Sequence, residues 1–318
     1  MEFIMKFEAR GIIPAALMPW TPDLGMDLSG LRQHLLDIAG VPGVSALCVN
    51  GHASEVSSCT EDEQAEILAT TCETVGDKLP IVSGVCSESS LMAADLARRW
   101  EDAGASALLV FPPSVFGKGA QLRPEMVLEH YRRIAGASSL PLIIFQYPLG
   151  GGQGYALDTL MRLIEEVPAI AGIKDYCGDP VLHEEVVRQL RNRPHKVAML
   201  SSHSSWLLQS LALGCDGILS GAGSTIASLQ VELFDAMRNG DLLLAREINE
   251  RMNVITRVFY RPPFIDQHNR MKEAQVLLGR FKCAAVRPPI MKLKEQEISS
   301  IRTALITAGM LKESTIDV

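Results

Sequence analysis

The 318-residue sequence predicts an α/β fold, a (β/α)8 TIM barrel with additional C-terminal helices, from two patterns. Eight short runs rich in Val, Ile, Leu and Ala recur along the chain. They are almost continuously apolar, as parallel strands covered on both faces are. Segments with the length and periodicity of amphipathic helices separate these runs. Eight such units within roughly 250 residues are typical of a barrel.

The predicted elements follow one another without interruption. The strands are, in order, GIIPAALMPW, VSALCVN, PIVSGVC, SALLVFPP, LPLIIFQYP, IAGIKDY, KVAMLSS and CDGILSG. The helical segments between them include SGLRQHLLDIAG, TEDEQAEILATTCETVG, ESSLMAADLARRWEDAG, PEMVLEHYRRIAG and DPVLHEEVVRQLRNR. Thr60 and Glu63 predict a capping box, and Asp179 before Pro180 predicts an N-cap followed by proline at the first helical position.

The main alternative fold is an open, doubly wound sheet. Such sheets usually have fewer strands and a nucleotide-binding fingerprint, and the sequence contains neither GxGxxG nor GxxxxGK[ST]. After the eighth unit, helix-like segments at about 242–260, 264–281 and 294–309 follow without a strand pattern. We therefore predict a catalytic barrel over residues 1–240 and a helical appendage over residues 241–318 that packs on the barrel.

Composition excludes several classes of partner. The net charge of −7 and the lack of a Lys/Arg run with interleaved aromatic residues make nucleic acid an unexpected partner. The first residues lack a basic segment followed by an apolar one, so secretion is not expected. No apolar run reaches the roughly 18 to 20 residues that a membrane span needs. We expect a soluble, cytoplasmic protein with no membrane partner.

Cysteine and histidine are scattered. Seven cysteines without a CxxC pair indicate reduced thiols rather than disulfides or a zinc site, and Cys48, Cys86 and Cys215 lie in apolar runs, where they are expected to be core residues. Five single histidines lack metal-ligand spacing, so we expect no metal and place them at the surface. They are residues 34, 130, 183, 195 and 268.

Lys174 ends the predicted sixth strand, at the edge where barrel enzymes build their active sites. One interpretation is a structural lysine that snorkels to solvent or pairs with Asp175 or Glu55. The other is an imine-forming nucleophile. Because an ordinary lysine has a pKa of roughly 10.4, that role requires an apolar site that favours the neutral amine.

Tyr147 ends the neighbouring fifth strand and is the candidate proton donor and acceptor for imine chemistry, unless its hydroxyl only bonds the backbone. The NGHASE turn after the second strand offers successive backbone N–H groups beside Gly51 and the hydroxyl of Ser54, an arrangement that suits a carboxylate. His52 in this turn, and His203 after the seventh strand, are alternatively structural. HExxH and GxSxG are both missing from the sequence.

These residues, in this order and spacing, resemble the dihydrodipicolinate synthase and N-acetylneuraminate lyase family of class I Schiff-base aldolases. The resemblance extends from GIIPAALMPWTPDLGMDLSGLRQHL through GIKDYCGD to GDLLLAREIN and RPPIMKL. It implies that Lys174 forms a Schiff base with pyruvate or another 2-oxo acid and that Tyr147 is the general acid/base. The implied substrate-binding residues are Gly51, His52, Ala53, Ser54 and Leu219. It also implies a homotetramer and no metal or organic cofactor.

The sequence departs from the family pattern at the substrate. The family's turn reads Gly, two hydroxyl residues, Gly, Glu, whereas here His52, Ala53 and Ser54 follow Gly51. His52 therefore either replaces the missing hydroxyl relay to the tyrosine or recognises a different substrate. FPPSVFGKG lacks the tyrosine that synthases extend into a neighbouring subunit, and YPLGGGQGY lacks their arginine for the second substrate's carboxylate.

The prediction is therefore a divergent member, a lyase that makes or breaks a C–C bond next to pyruvate with a less acidic aldehyde partner, outside lysine biosynthesis. Two alternatives stay open. A dehydratase or deaminase would use the same imine to eliminate water or ammonia from a 2-oxo-3-deoxy acid. A non-catalytic barrel would only bind a 2-oxo acid.

Overall fold

Eight parallel strands form the centre of the protein in a computed structural model, which describes residues 7–193, 195–202 and 204–312. The strands are β1 Gly11–Pro14, β2 Leu47–Val49, β3 Ile81–Val85, β4 Ala107–Val110, β5 Leu142–Gln146, β6 Ile170–Asp175, β7 Ala198–Ser201 and β8 Gly217–Ser220. They pair in the order β1-β8-β7-β6-β5-β4-β3-β2, and parallel bridges from Ile12 to Val44 and from Ala15 to Cys48 complete the ring. All eight predicted strands and the barrel are confirmed.

Helices alternate with these strands and cover the barrel. They are α1 Leu28–Ala39, α2 Glu61–Val75, α3 Ser90–Asp102, α4 Pro124–Ala137, α5 Leu157–Glu166, α6 Pro180–Arg191, α7 Leu207–Ala212 and α8 Gly223–Arg238. The predicted caps are present. Thr60 and Glu63 form the capping box of α2, and the Asp179 side chain accepts hydrogen bonds from the first amides of α6. Among the described residues, no helix has the length and apolarity of a membrane span.

Three further helices follow the barrel: α9 Leu242–Phe259, α10 Gln267–Leu277 and α11 Glu295–Thr307. The three predicted C-terminal helical segments are thus confirmed, while the division of the chain at residues 240 and 241 stays a prediction. Helix α9 packs on α8, and α10 packs on α9 and α11. The start of α10 reaches the carboxyl ends of the strands, so this appendage contributes to the candidate site.

The histidines correct a sequence prediction. His34, His130 and His183 are buried in the helix layers, and their assignment to the surface is wrong. Each has a hydrogen-bond partner, which lets an imidazole sit in a core. His34 accepts from the Leu17 amide, for example, and His183 binds a carboxylate. His195 is exposed as expected. His203 lies outside the described residues.

Candidate active site

A cavity of about 290 Å³ opens at the carboxyl ends of the strands. We call it the inner cavity, and it is lined by Lys174, Tyr147, His52 and Ala53. The structure therefore brings the two predicted catalytic residues together with two of the predicted substrate-binding residues. The second, fifth and sixth βα units supply them, as expected for a barrel whose chemistry is distributed over several loops.

The structure does not place the other predicted substrate-binding residues, Gly51, Ser54 and Leu219, among those that line the inner cavity. Gly51 begins the turn, and its carbonyl accepts the amides of Ser54 and Val56. Leu219 is fully buried in β8, in register with Ile13 of β1. Their contact with a substrate stays a prediction.

Lys174 is buried at the end of β6, with only 5% of its surface exposed. Its Nζ lies 4.0 Å from the centroid of the Phe145 ring, on the neighbouring strand β5. Burial lowers the pKa of Lys174 to about 8, because an apolar surrounding disfavours the ammonium form. The site thus has the property that the imine-forming interpretation requires.

Both carboxylates that the structural interpretation offered to Lys174 are engaged elsewhere. Asp175 points to the opposite face of β6, as alternate strand residues do, and its Oδ2 lies 2.5 Å from Nδ1 of His183. Glu55 pairs with Lys272 of α10. Among the described residues, no carboxylate forms an ion pair with Lys174.

The hydroxyl of Tyr147 forms a hydrogen bond with Nε2 of His52. Burial, reinforced by the nearby Lys174, lowers the pKa of His52 to about 4, so the imidazole is neutral at pH 7. Burial also raises the pKa of Tyr147 well above its usual range, so the phenol keeps its proton. The His52 ring packs edge-on against Phe111, with the ring centroids 5.0 Å apart. His52 therefore contacts the tyrosine at the place where the family's hydroxyl relay is missing.

Among the described residues, the turn after β2 has amides without a backbone acceptor. The N–H groups of Ser54, Glu55 and Val56 donate to carbonyls within the turn, whereas those of His52 and Ala53 do not. Because His52 and Ala53 also line the inner cavity, their amides are the available donors for an anion. That these amides hold a substrate carboxylate stays a prediction.

The residues at the two ends of this turn have an unusual backbone conformation. Asn50 and Glu55 adopt left-handed conformations with φ of 54° and 53°, which non-glycine residues rarely do. The Asn50 side chain is held by hydrogen bonds to the Gln64 carbonyl and the Ser83 hydroxyl. The hydroxyl of Ser54 donates to the Ala16 carbonyl at 2.9 Å, so it braces the turn against the barrel.

Lys272 is a residue that the sequence pattern did not single out. It is fully buried on α10, where its Nζ contacts the Glu55 carboxylate and donates to the Ala285 carbonyl at 2.9 Å. Burial lowers its pKa to about 8, against the opposing effect of Glu55. The C-terminal helices thus hold the turn that carries His52. No local signal in the helix QHNRMKEAQVL distinguishes this lysine from a surface one.

Other cavity residues were also missed because they come from the C-terminal part of the chain. Tyr260, Phe264, Gln267 and His268 line the inner cavity. Burial and the neighbouring His52 and Lys174 keep the pKa of His268 well below its usual range. His268 is half-buried in the wall of the inner cavity, so its assignment to the outer surface needs correction.

Comparison with known proteins agrees with this geometry. The model of the dihydrodipicolinate synthetase family matches residues 8–308. The chain belongs to this family. Among its relatives, 4-hydroxy-tetrahydrodipicolinate synthase of Methanopyrus kandleri is 30% identical over 312 residues, covering 97% of this chain and 99% of the relative. Family membership indicates a lyase of the aldolase type.

Solved structures of the family have the same fold. Dihydrodipicolinate synthase from Bacteroides thetaiotaomicron superposes with a TM-score of 0.84 at 27% identity, covering 95% of this chain and 99% of that one. A prophage protein of the family from E. coli K12, solved in complex with pyruvate, superposes with a TM-score of 0.86 at 24% identity, with 95% and 99% coverage. The second likeness shows the fold alone.

Proposed function

We propose that this family member is a Schiff-base lyase that joins pyruvate, or another 2-oxo acid, to an aldehyde, or cleaves the product of that condensation. One observation carries the proposal. Lys174 is a buried amine with a lowered pKa and no ion-pair partner among the described residues, and it shares a cavity with a protonated phenol. The printed names of the relatives and the pyruvate bound by the E. coli protein are consistent with it.

The first half of the reaction makes the imine. The lone pair of the neutral Lys174 amine attacks C2 of the 2-oxo acid, and the carbonyl oxygen takes up a proton. Loss of that oxygen as water then leaves a protonated imine. Tyr147 is placed to give and take these protons, and His52 Nε2 accepts from the phenol when Nδ1 carries the imidazole proton. The substrate carboxylate lies on the amides of His52 and Ala53.

The second half makes the C–C bond. The protonated imine draws electrons from C3, which loses a proton and becomes the nucleophilic carbon of an enamine. C3 attacks the aldehyde carbon, the carbonyl π electrons move to the aldehyde oxygen, and that oxygen takes a proton. Water then hydrolyses the imine, releases a 4-hydroxy-2-oxo acid and restores Lys174. Cleavage is the reverse, and the imine itself supplies the electron sink.

We place this reaction outside lysine biosynthesis. Segment 147–154, which follows β5, contains no arginine to bind a second carboxylate. The Ser114–Lys118 segment after β4 contains no tyrosine to extend toward another subunit. The homotetramer and the cytoplasmic location stay predictions.

Borohydride reduction in the presence of pyruvate tests the imine. We expect the intact protein to gain the mass of pyruvate less one oxygen atom, with the adduct mapped to Lys174 by peptide mass spectrometry. Lys174→Ala should not be labelled, whereas a variant of the exposed Lys196 should be labelled like the unmodified protein. Failure of every tested 2-oxo acid to label Lys174 would refute both imine mechanisms and favour the non-catalytic barrel.

Product analysis separates the two imine mechanisms. Only an aldolase releases pyruvate and an aldehyde from a longer 4-hydroxy-2-oxo acid. A dehydratase or deaminase would instead release water or ammonia and keep the carbon chain intact. The contact between His52 and Tyr147 suits either, because both need proton transfer beside the imine.

A further inference from the structure

The inner cavity continues into a larger one. This outer cavity of about 690 Å³ shares His52, Phe264, Gln267 and His268 with the inner cavity. It runs between the end of the β2 turn, residues 55–58, and the C-terminal segments 264–269 and 286–290. A substrate attached to Lys174 can therefore extend outward past the two histidines.

Arg287 is the arginine in the wall of the outer cavity, and its donors are already used. Its guanidinium binds both carboxylate oxygens of Glu63, at 2.6 and 2.7 Å. The remaining N–H groups donate to the carbonyls of Leu24 and Ser58. The guanidinium carbon also lies 3.8 Å from the centroid of the Trp20 ring. All five N–H groups of the guanidinium have acceptors, so none is left for a ligand.

The other basic groups around the two cavities are also unavailable to a second anion. Lys174 is consumed in the imine, and Lys272 is held by Glu55. His52 and His268 have lowered pKa values and are neutral near pH 7. Among the described lining residues, no free cation faces the space beyond the imine. Burying a carboxylate or phosphate there without a partner would be strongly unfavourable.

About half of the residues that line the outer cavity are instead apolar, and Phe264 contributes a phenyl ring to its wall. Phe264 and Ile265, at the opening, are 53% and 63% exposed in the unliganded protein. Aromatic side chains also line the inner cavity, namely Phe145, Tyr147, Tyr176 and Tyr260. Exposed apolar groups that border a cavity are typical of a ligand site, and aromatic rings pair favourably with one another.

We propose that the aldehyde partner is an uncharged aromatic aldehyde whose ring occupies the outer cavity beside Phe264. This inference rests on the proposed function, because the aldehyde is defined by its reaction with the Lys174 enamine. The bond that forms joins C3 of the enamine to the aldehyde carbon, whose oxygen becomes a hydroxyl. The product is a 4-aryl-4-hydroxy-2-oxo acid, and no co-reactant other than water is required.

The decisive experiment compares two aldehydes that differ in charge. Purified protein is given pyruvate with either benzaldehyde or 4-carboxybenzaldehyde, and the condensation products are quantified by mass spectrometry. We expect kcat/KM to be at least tenfold higher for benzaldehyde. Equal or better use of the carboxylated aldehyde would overturn the inference, and so would the absence of condensation with both aldehydes while the pyruvate imine still forms.

Substitutions of residues that line the outer cavity provide a second test of the inference. Gln267→Arg places a cation in the shared wall and should shift the ratio of the two kcat/KM values at least tenfold toward 4-carboxybenzaldehyde. Phe264→Ala should raise the KM for benzaldehyde. Leu243→Ala, an equally apolar exposed position on α9 and not a cavity residue, should change neither value. An unchanged ratio in Gln267→Arg would contradict the assignment of the outer cavity.

Borohydride trapping with pyruvate alone distinguishes failure of the proposed Schiff-base function from failure of the aromatic-aldehyde inference. If pyruvate does not label Lys174, the proposed function fails. If pyruvate labels Lys174 and the charged aldehyde is preferred, the imine mechanism stands and the aromatic aldehyde alone is refuted.

Discussion

The Tyr147 hydroxyl is hydrogen-bonded to Nε2 of His52, a residue of a different βα loop. The imidazole occupies the place where the family pattern has a hydroxyl residue, and its lowered pKa keeps it neutral. A neutral imidazole can accept from a phenol without becoming an ion, so it can hold the tyrosine while the tyrosine retains its proton.

We expect His52→Ala to reduce kcat by roughly two orders of magnitude, the lower end of the range for general acid/base catalysis, because His52 acts through Tyr147. The unfolding midpoint should change little by comparison, because His52 is only partly buried. Steady-state kinetics and thermal unfolding measure the two effects. His52→Thr, which restores a hydroxyl, should recover part of kcat. Unchanged kinetics in His52→Ala would show that His52 has only a structural role in the turn.

Imine formation should depend on pH through Lys174. Its pKa of about 8 leaves about a tenth of the amine neutral at pH 7, far more than an ordinary lysine. The neutral amine is the nucleophile, so the initial rate of borohydride-trapped labelling by pyruvate should rise from pH 6 to 8 and level off near pH 9. A rate that keeps rising tenfold per pH unit beyond pH 9.5 would show that burial does not lower this pKa.

Loss of the Lys272 cation should destabilise the protein. Lys272→Met leaves the mostly buried Glu55 carboxylate without its partner, which costs roughly 3 to 5 kcal/mol in comparable buried pairs. We also expect a higher KM for the 2-oxo acid, because Glu55 ends the turn whose amides are proposed to bind the carboxylate. Denaturant unfolding and steady-state kinetics measure these effects.

The double variant Lys272→Met/Glu55→Gln is the matched control. It removes both charges, so it should recover at least half of the lost stability. A single variant as stable as the unmodified protein would show that the pair does not hold the turn.

The Asp175 and His183 pair should make stability depend on pH. Burial lowers the pKa of His183, but its hydrogen bonds with Asp175 and Cys215 outweigh burial and raise it to about 9. This contribution to stability is complete below pH 6.5 and is lost as pH rises through 9. The free energy of unfolding should therefore fall between pH 6.5 and 9, and His183→Gln should remove that part of the decrease. An identical pH dependence of stability in the unmodified protein and in His183→Gln would contradict the raised pKa of His183.

Much of the architecture and part of the chemistry follow from local features of the sequence. Parallel strands buried on both faces leave continuous apolar runs in a sequence, so all eight strands are visible there. Lys174 and Tyr147 stand out because each polar residue directly follows such a run, and barrel enzymes place their chemistry there. The departure at His52 is visible for the same local reason.

Partnerships between distant segments depend on the folded chain. The sequence allows Glu55 as a partner of Lys174, but α10 brings Lys272 to Glu55 and leaves Lys174 free of an ion pair among the described residues. The sequence pattern also predicts a surface position for His183, but β6 turns Asp175 outward to meet it inside the helix layer. Local composition and periodicity indicate whether a segment is buried. The packing of segments that are distant in the sequence decides which buried charged residues contact one another.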